Sequence, residues 1–214
     1  MRKLPRQQQS LARFQRDGLT GRDCENKCLL VVGVGHIGLI ASRLGRAMGM
    51  QVLGVDIDAR QSEVIYVSIA EGLPRADVIL SAMNLTDQNR GYFNYQLLKA
   101  ARPDAIFVNI ARGELSPSVE LLRLLDENRL GGVALDVYAD ESELAGSLRS
   151  GQSSGSQEVR AVLELSSRPN VILTPHNAFN TCESVEKKSS DTLRQIQQFL
   201  TSGDFLWSLP QEQA

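Results

Sequence analysis

The chain has 214 residues, 42% hydrophobic and 22% charged, which suits one substantial core and a single domain as the first expectation. Its 23 basic and 25 acidic side chains give a formal net charge of -2, so no broad cationic field points to nucleic acid or to an anionic membrane surface. No apolar run approaches the roughly 18 residues of a membrane span, and the start MRKLPRQQQS lacks the apolar core of an export signal. A cytoplasmic location is therefore expected. Cys24, Cys28 and Cys182 form an odd set without C-x-x-C spacing, and read as reduced thiols rather than as a disulfide framework or a metal site.

Residues 1–28 carry Arg2, Lys3, Arg6, Arg13, Arg16, Arg22 and Lys27 against Asp17, Asp23 and Glu25. This is read as a solvated helix face, in preference to an organellar transit peptide. Short apolar runs follow at residues 29–32, 52–55, 78–80, 105–110, 133–137 and 171–173, separated by stretches with helical spacing. Their hydrophobicity is continuous rather than alternating, as in strands covered on both faces. The fold class is α/β, a doubly wound parallel sheet. Helices are predicted over residues 37–48, 92–101 (ended by Pro103), 118–128 and 183–200. For the third of these, Ser116 is the expected cap, Pro117 the first helical position, and Gly131 and Gly132 the stop. The Ser/Gly-rich stretch at 146–157 reads as a mobile insertion. Phe205, Leu206, Trp207 and Leu209 make an apolar tail that calls for a covering surface.

The run LLVVGVGHIG at residues 29–38 sets Gly33, Gly35 and Gly38 in G-x-G-x-x-G spacing between a strand and a helix. The first glycine permits the turn, the second lets backbone amides approach a pyrophosphate, and the third lets the helix pack close to the strand. Asp56 ends the next strand, 18 residues beyond Gly38, where a carboxylate accepts the ribose hydroxyls of adenosine and repels a 2′-phosphate. NAD is thus preferred to NADP, with Arg60 acting against that preference. His36 is read as a solvent-facing or phosphate-neighbouring residue rather than a catalyst.

Three later strands each end on a polar residue: FVNIARGE with Arg112, VALDVYADE with Asp136 and Glu141, and VILTPHNAF with His176. Carboxyl ends of parallel strands are where ligands sit. Singly, these residues have ordinary readings as a surface ion pair, a loop carboxylate and a satisfied histidine.

In order and spacing, the glycine loop and these segments resemble the D-isomer-specific 2-hydroxyacid dehydrogenase family from about residue 21 to 181. The resemblance implies that Arg112 binds the substrate carboxylate, that Glu141 is the acidic partner of the proton-transferring His176, and that Asp136 contacts the nicotinamide end. It further implies cofactor contacts at His36 and Ile37, at Met83, at Ile110 and Ala111, and along His176, Asn177, Ala178 and Phe179. Phe179 is similar to the aromatic that follows the histidine in the D-lactate dehydrogenase branch. The residue types suit the chemistry. An imidazole titrates near neutral pH and can exchange the hydroxyl proton, a neighbouring carboxylate raises its basicity, and a guanidinium grips a carboxylate while polarising a 2-oxo group. No metal is needed.

The family's substrate domain precedes its nucleotide-binding domain, and no counterpart is read here. Residues 1–22 then resemble the remnant of an interdomain helix and arm, 23–181 the NAD-binding domain, and 182–214 a helix and tail that pack on the substrate domain. Asn84 departs from a proline common at that point. The expected function is NAD-dependent oxidation of the CH-OH group of a small D-2-hydroxy acid, with a homodimer implied. The alternatives are an NAD-binding sensor or truncated module without turnover, and an NAD-using lyase or hydrolase.

Overall fold

The computed structural model describes residues 3–207, and the chain divides into two compact units, Met1–Pro175 and His176–Ala214. Arg2 and Leu209, assigned above to the basic face and the apolar tail, lie outside the described residues.

In the first unit, the strands are β1 (Cys28–Val32), β2 (Gln51–Val55), β3 (Ile65–Tyr66), β4 (Val78–Ser81), β5 (Ile106–Asn109), β6 (Gly132–Leu135) and β7 (Val171–Leu173). They form one parallel sheet in the order β3-β2-β1-β4-β5-β6-β7. All five residues of β1 are buried: Leu30 and Val32 belong to one core cluster, Leu29 and Val31 to another. A strand with two dry faces has no polar face to show, which is why its sequence runs apolar without alternation. The strand order reverses between β1 and β4, and in open parallel sheets ligands sit at the carboxyl ends of the strands at such a point. The doubly wound parallel sheet expected from the sequence is present.

The helices of this unit are α1 (Leu4–Leu11), α2 (His36–Ala47), α3 (Ile69–Gly72), α4 (Tyr95–Leu98), α5 (Ser118–Asp126), α6 (Glu141–Ser150) and α7 (Gln157–Ser166). The buried residues of α2 are all small, Gly38, Ser42 and Gly45. A Cβ on Gly45 would lie 2.6 Å from a Leu29 methyl, so the helix axis sits close to the sheet, while Ile37, Ile40, Leu44 and Met48 remain exposed on its outer side.

Three expectations need correction, and one helix lies where none was expected. The helix over 92–101 shrinks to α4, because Tyr92 and Phe93 serve the core instead: Phe93 is fully buried edge-on to Tyr92 and beside Phe107 at 5.0 Å, its amide bonds Leu115 O, and Asn94 caps the helix through Leu97 N. Ser116 does not cap α5; its hydroxyl accepts from Asn109 Nδ2 at 2.8 Å, and Ser118 N is met by Glu158 Oε2 at 2.6 Å from α7. Half of the stretch 146–157 is helical, since α6 continues to Ser150 with Leu144 buried and stops at Gly151 in the left-handed region. The helix α7 was not foreseen, although Ser156 caps it and Val159, Val162 and Leu165 bury one face.

The second unit holds α8 (Cys182–Ser202), which begins where Thr181 Oγ1 accepts from Ser184 N and ends at Gly203 in the left-handed region. After it the chain folds back: Phe205 stacks on Phe199 with ring centroids 4.6 Å apart, and Gln195 Oε1 accepts from Leu206 N at 2.7 Å. No helix among the described residues is long and apolar enough to cross a membrane.

Because Glu158 reaches 40 positions back in the chain to the start of α5, Glu158→Ala is expected to lower stability by about 1–2 kcal/mol, with Glu158→Gln recovering most of it. Urea unfolding of the three proteins checks this, and an Ala variant as stable as the wild type contradicts it.

Candidate active site

The glycine loop is shaped by backbone crowding. Gly33 has φ 91°, and a Cβ there would lie 2.4 Å from Met83 N; a Cβ on Gly38 would lie 2.0 Å from Gly33 O. No side chain fits at either position. Gly35 differs, with nothing within 4 Å of its notional Cβ. It caps α2 in extended backbone with no side-chain cap bond, so the first amides of this 12-residue helix start beside an uncrowded position. This is the cradle that a pyrophosphate requires, and the residues present fit such a group. His36 and Ile37 are exposed beside it.

Asp56 follows β2 directly. Its Oδ2 accepts from Val34 N at 2.6 Å and its Oδ1 from Asp58 N at 3.0 Å, while Gly33 N donates to Val55 O at 2.8 Å. A carboxylate has about four lone-pair sites, so two amide donors leave room for ribose hydroxyls.

After β5 the chain turns through Ile110, Ala111 and Arg112 around a residue that the sequence reading passed over. Asn109 is fully buried, and its side chain accepts from Ala111 N at 3.0 Å and donates to Arg112 O and Ser116 Oγ, both at 2.8 Å. This Asx turn presents Arg112 at the surface. Its guanidinium donates to Ala111 O at 2.7 Å and meets no carboxylate among the described residues. The only sequence signal was an Asn two residues before an exposed turn, which by itself is common.

The next loop locks onto this one. A Cβ on Gly113 would lie 1.9 Å from the Tyr138 carbonyl carbon, so the Arg112 turn rests against the backbone of the β6–α6 loop. Tyr138 N in turn donates to Glu141 Oε1 at 3.2 Å, and Asp136 N to Asn109 O at 3.1 Å. The Asp136 carboxylate accepts from the Thr174 hydroxyl, and the Tyr138 hydroxyl donates to Thr174 O at 2.8 Å. Burial, reinforced by Asp136, pushes the Tyr138 phenol up to about 12. Gly33, Asp56, Met83, Arg112, Asp136 and Glu141 therefore all stand at the carboxyl edge of one sheet.

His176 opens the second unit. It holds φ 49°, in the left-handed region, and its ring lies edge-on to Phe179 with centroids 6.5 Å apart; Phe179 is exposed, with Lys188 Nζ 5.9 Å from its ring centre. Asn177 and Ala178 lie between them and are exposed.

The family model described as D-isomer specific 2-hydroxyacid dehydrogenase, NAD binding domain, matches residues 1–178. The chain belongs to this family. Among curated relatives, it is 30% identical over 189 residues to a D-lactate dehydrogenase of Streptococcus agalactiae, covering 86% of this chain and 56% of that protein. It is also 30% identical over 187 residues to a D-2-hydroxyacid dehydrogenase (NAD+) of Lacticaseibacillus paracasei, covering 86% and 55%. Among solved structures, a D-lactate dehydrogenase of Aquifex aeolicus complexed with NAD and lactic acid superposes with a TM-score of 0.87 at 26% identity, over 98% of this chain and 66% of that one. The chain spans about half the length of the curated relatives it matches.

Two measurements test the physical account of this family member. Gly38→Ala is expected to cost about 2–3 kcal/mol by overpacking, whereas Gly35→Ala leaves the unfolding midpoint nearly unchanged; equal losses for the two would contradict it. The folded protein holds the Tyr138 proton more tightly than the unfolded chain, whose phenol titrates near 10. Its contribution is therefore complete below about pH 10 and is lost as the pH rises toward about 12. Tyr138→Phe should remove that share of the alkaline loss, read from urea unfolding between about pH 8 and about pH 11; parallel profiles would contradict it.

Proposed function

We propose that this chain is the NAD-binding, hydride-transfer part of an NAD-dependent D-2-hydroxyacid dehydrogenase, acting in the cytoplasm on the CH-OH group of a small D-2-hydroxy acid. The observation that carries this reading is the convergence of the glycine loop, Asp56, the Arg112 turn and the Glu141 loop on one sheet edge. When bound, the nicotinamide supplies the acceptor for the hydride leaving carbon 2.

In this reading Gly33, Gly35 and Gly38 keep the phosphate cradle open, His36 and Ile37 border it, and Asp56 accepts the ribose hydroxyls. Met83, Ile110 and Ala111 line the path of the cofactor toward Asp136 at its nicotinamide end, and His176, Asn177, Ala178 and Phe179 complete its surroundings. Arg112 holds the substrate carboxylate with its guanidinium fork and stabilises negative charge on the 2-oxo oxygen. His176 takes the hydroxyl proton during oxidation and returns it during reduction, with Glu141 as the acidic partner that orients its ring.

The exposed Leu4, Leu11 and Phe14 along and after α1 support pairing of two copies through this segment. Phe205, Leu206 and Trp207 are read as the surface for a substrate-holding domain.

The test is a fluorescence titration with NADH, followed by assays of pyruvate, glyoxylate and hydroxypyruvate reduction. NADH is expected to bind, with Asp56→Ala weakening it roughly 10- to 100-fold. His176→Ala should lower turnover about 100-fold or more. Binding without turnover, unchanged in His176→Ala, would replace the enzyme reading with an NAD-binding module. No binding of NADH would overturn both.

A further inference from the structure

The turn after β2 runs DIDAR, so two carboxylates and one guanidinium sit within five residues of each other beside the glycine loop. Asp56 is committed by its two amide bonds to Val34 and Asp58. Asp58 and Arg60 are committed to each other. The Arg60 amide donates to Asp58 O at 2.9 Å, and its Nε donates to the Asp58 carboxylate in a close ion pair. Both side chains are well exposed, at 79% for Arg60 and 48% for Asp58.

In dinucleotide-binding folds, an arginine in this region is the group that accommodates a 2′-phosphate, and a carboxylate at the strand end selects against it. This turn carries both, which leaves its preference undetermined until the arginine's engagement is known. We propose that Asp58 is a second cofactor-selectivity residue, which works by occupying Arg60 rather than by touching the ribose. The inference rests on the NAD reading above and extends it.

A 2′-phosphate approaching this turn would have to draw Arg60 away from Asp58, leaving the freed carboxylate beside a group that itself carries about two negative charges. The Asp58–Arg60 pair is exposed, and such pairs are individually weak. The effect on selectivity is accordingly modest, about fivefold, and it adds to the larger exclusion by Asp56. NADH lacks the 2′-phosphate and is indifferent to whether Arg60 is engaged.

Fluorescence titrations with NADH and NADPH, on the wild type, Asp58→Asn, Arg60→Ala and the double variant, test this. Asp58→Asn keeps the backbone bonds of the turn and should tighten NADPH by about fivefold while NADH stays within about twofold. The gain should vanish in Asp58→Asn/Arg60→Ala, and Arg60→Ala alone should leave the NADPH to NADH ratio near that of the wild type. An unchanged ratio in Asp58→Asn, or a gain that survives in the double variant, would overturn the role of Asp58 while leaving NAD binding intact. Failure of the wild type to bind NADH at all would instead overturn the reading on which it rests.

Discussion

Gly38 packs directly on the carbonyl of Gly33, and the rest of the site depends on that contact. With no Cβ on either residue, α2 can start immediately over the end of β1, and the turn between them stays short. Because the turn is short, Val34 N arrives within reach of Asp56 at the end of β2, and Gly33 N within reach of Val55 O. The backbone of Met83, after β4, closes on Gly33 from the other side. Three neighbouring strand ends are thereby gathered around one helix N-terminus, with the open side at Gly35. Widening the turn by one methyl group would disturb the cradle and the carboxylate beside it together.

A second brace joins the remaining strand ends. Asn109 folds the Arg112 turn back on β5, Gly113 seats it on the Tyr138 backbone, and Tyr138 reaches both Glu141 and Thr174 at the end of β7. Each member is buried or held by more than one bond, so Arg112 and Glu141 stand on supports that do not need a ligand to form. Preorganisation of this kind is what a charged binding group requires if binding energy is not to be lost in ordering it.

Much of this edge was legible in the sequence because its signals are local. A strand buried on both faces announces itself as an unbroken apolar run, and a glycine loop by its spacing. What escaped was set by distant partners. Ile65 and Tyr66 form a strand only two residues long, too short for any periodicity. Tyr92 and Phe93 have helical spacing, yet their rings are claimed by Phe107 and the core. Ser116 has the composition of a cap but is drawn to Asn109, 7 residues earlier, while the cap of α5 is provided from α7. The Ser/Gly composition after Glu141 concealed Leu144, the residue that α6 buries. In α7 the signal was present, in Ser156 followed by Val159, Val162 and Leu165, and only the surrounding composition obscured it.

Hydrogen exchange of individual backbone amides, measured with and without NADH, tests the central claim most directly. The account predicts slowed exchange at the carboxyl edge of the sheet, in the Gly33–Gly38 turn, at Asp58, and through Ile110 to Arg112. Little change is predicted at the opposite edge, where Asn26 and Lys27 lead into β1 and Met50 into β2. Protection at that opposite edge, or none anywhere when NADH is saturating, would contradict it.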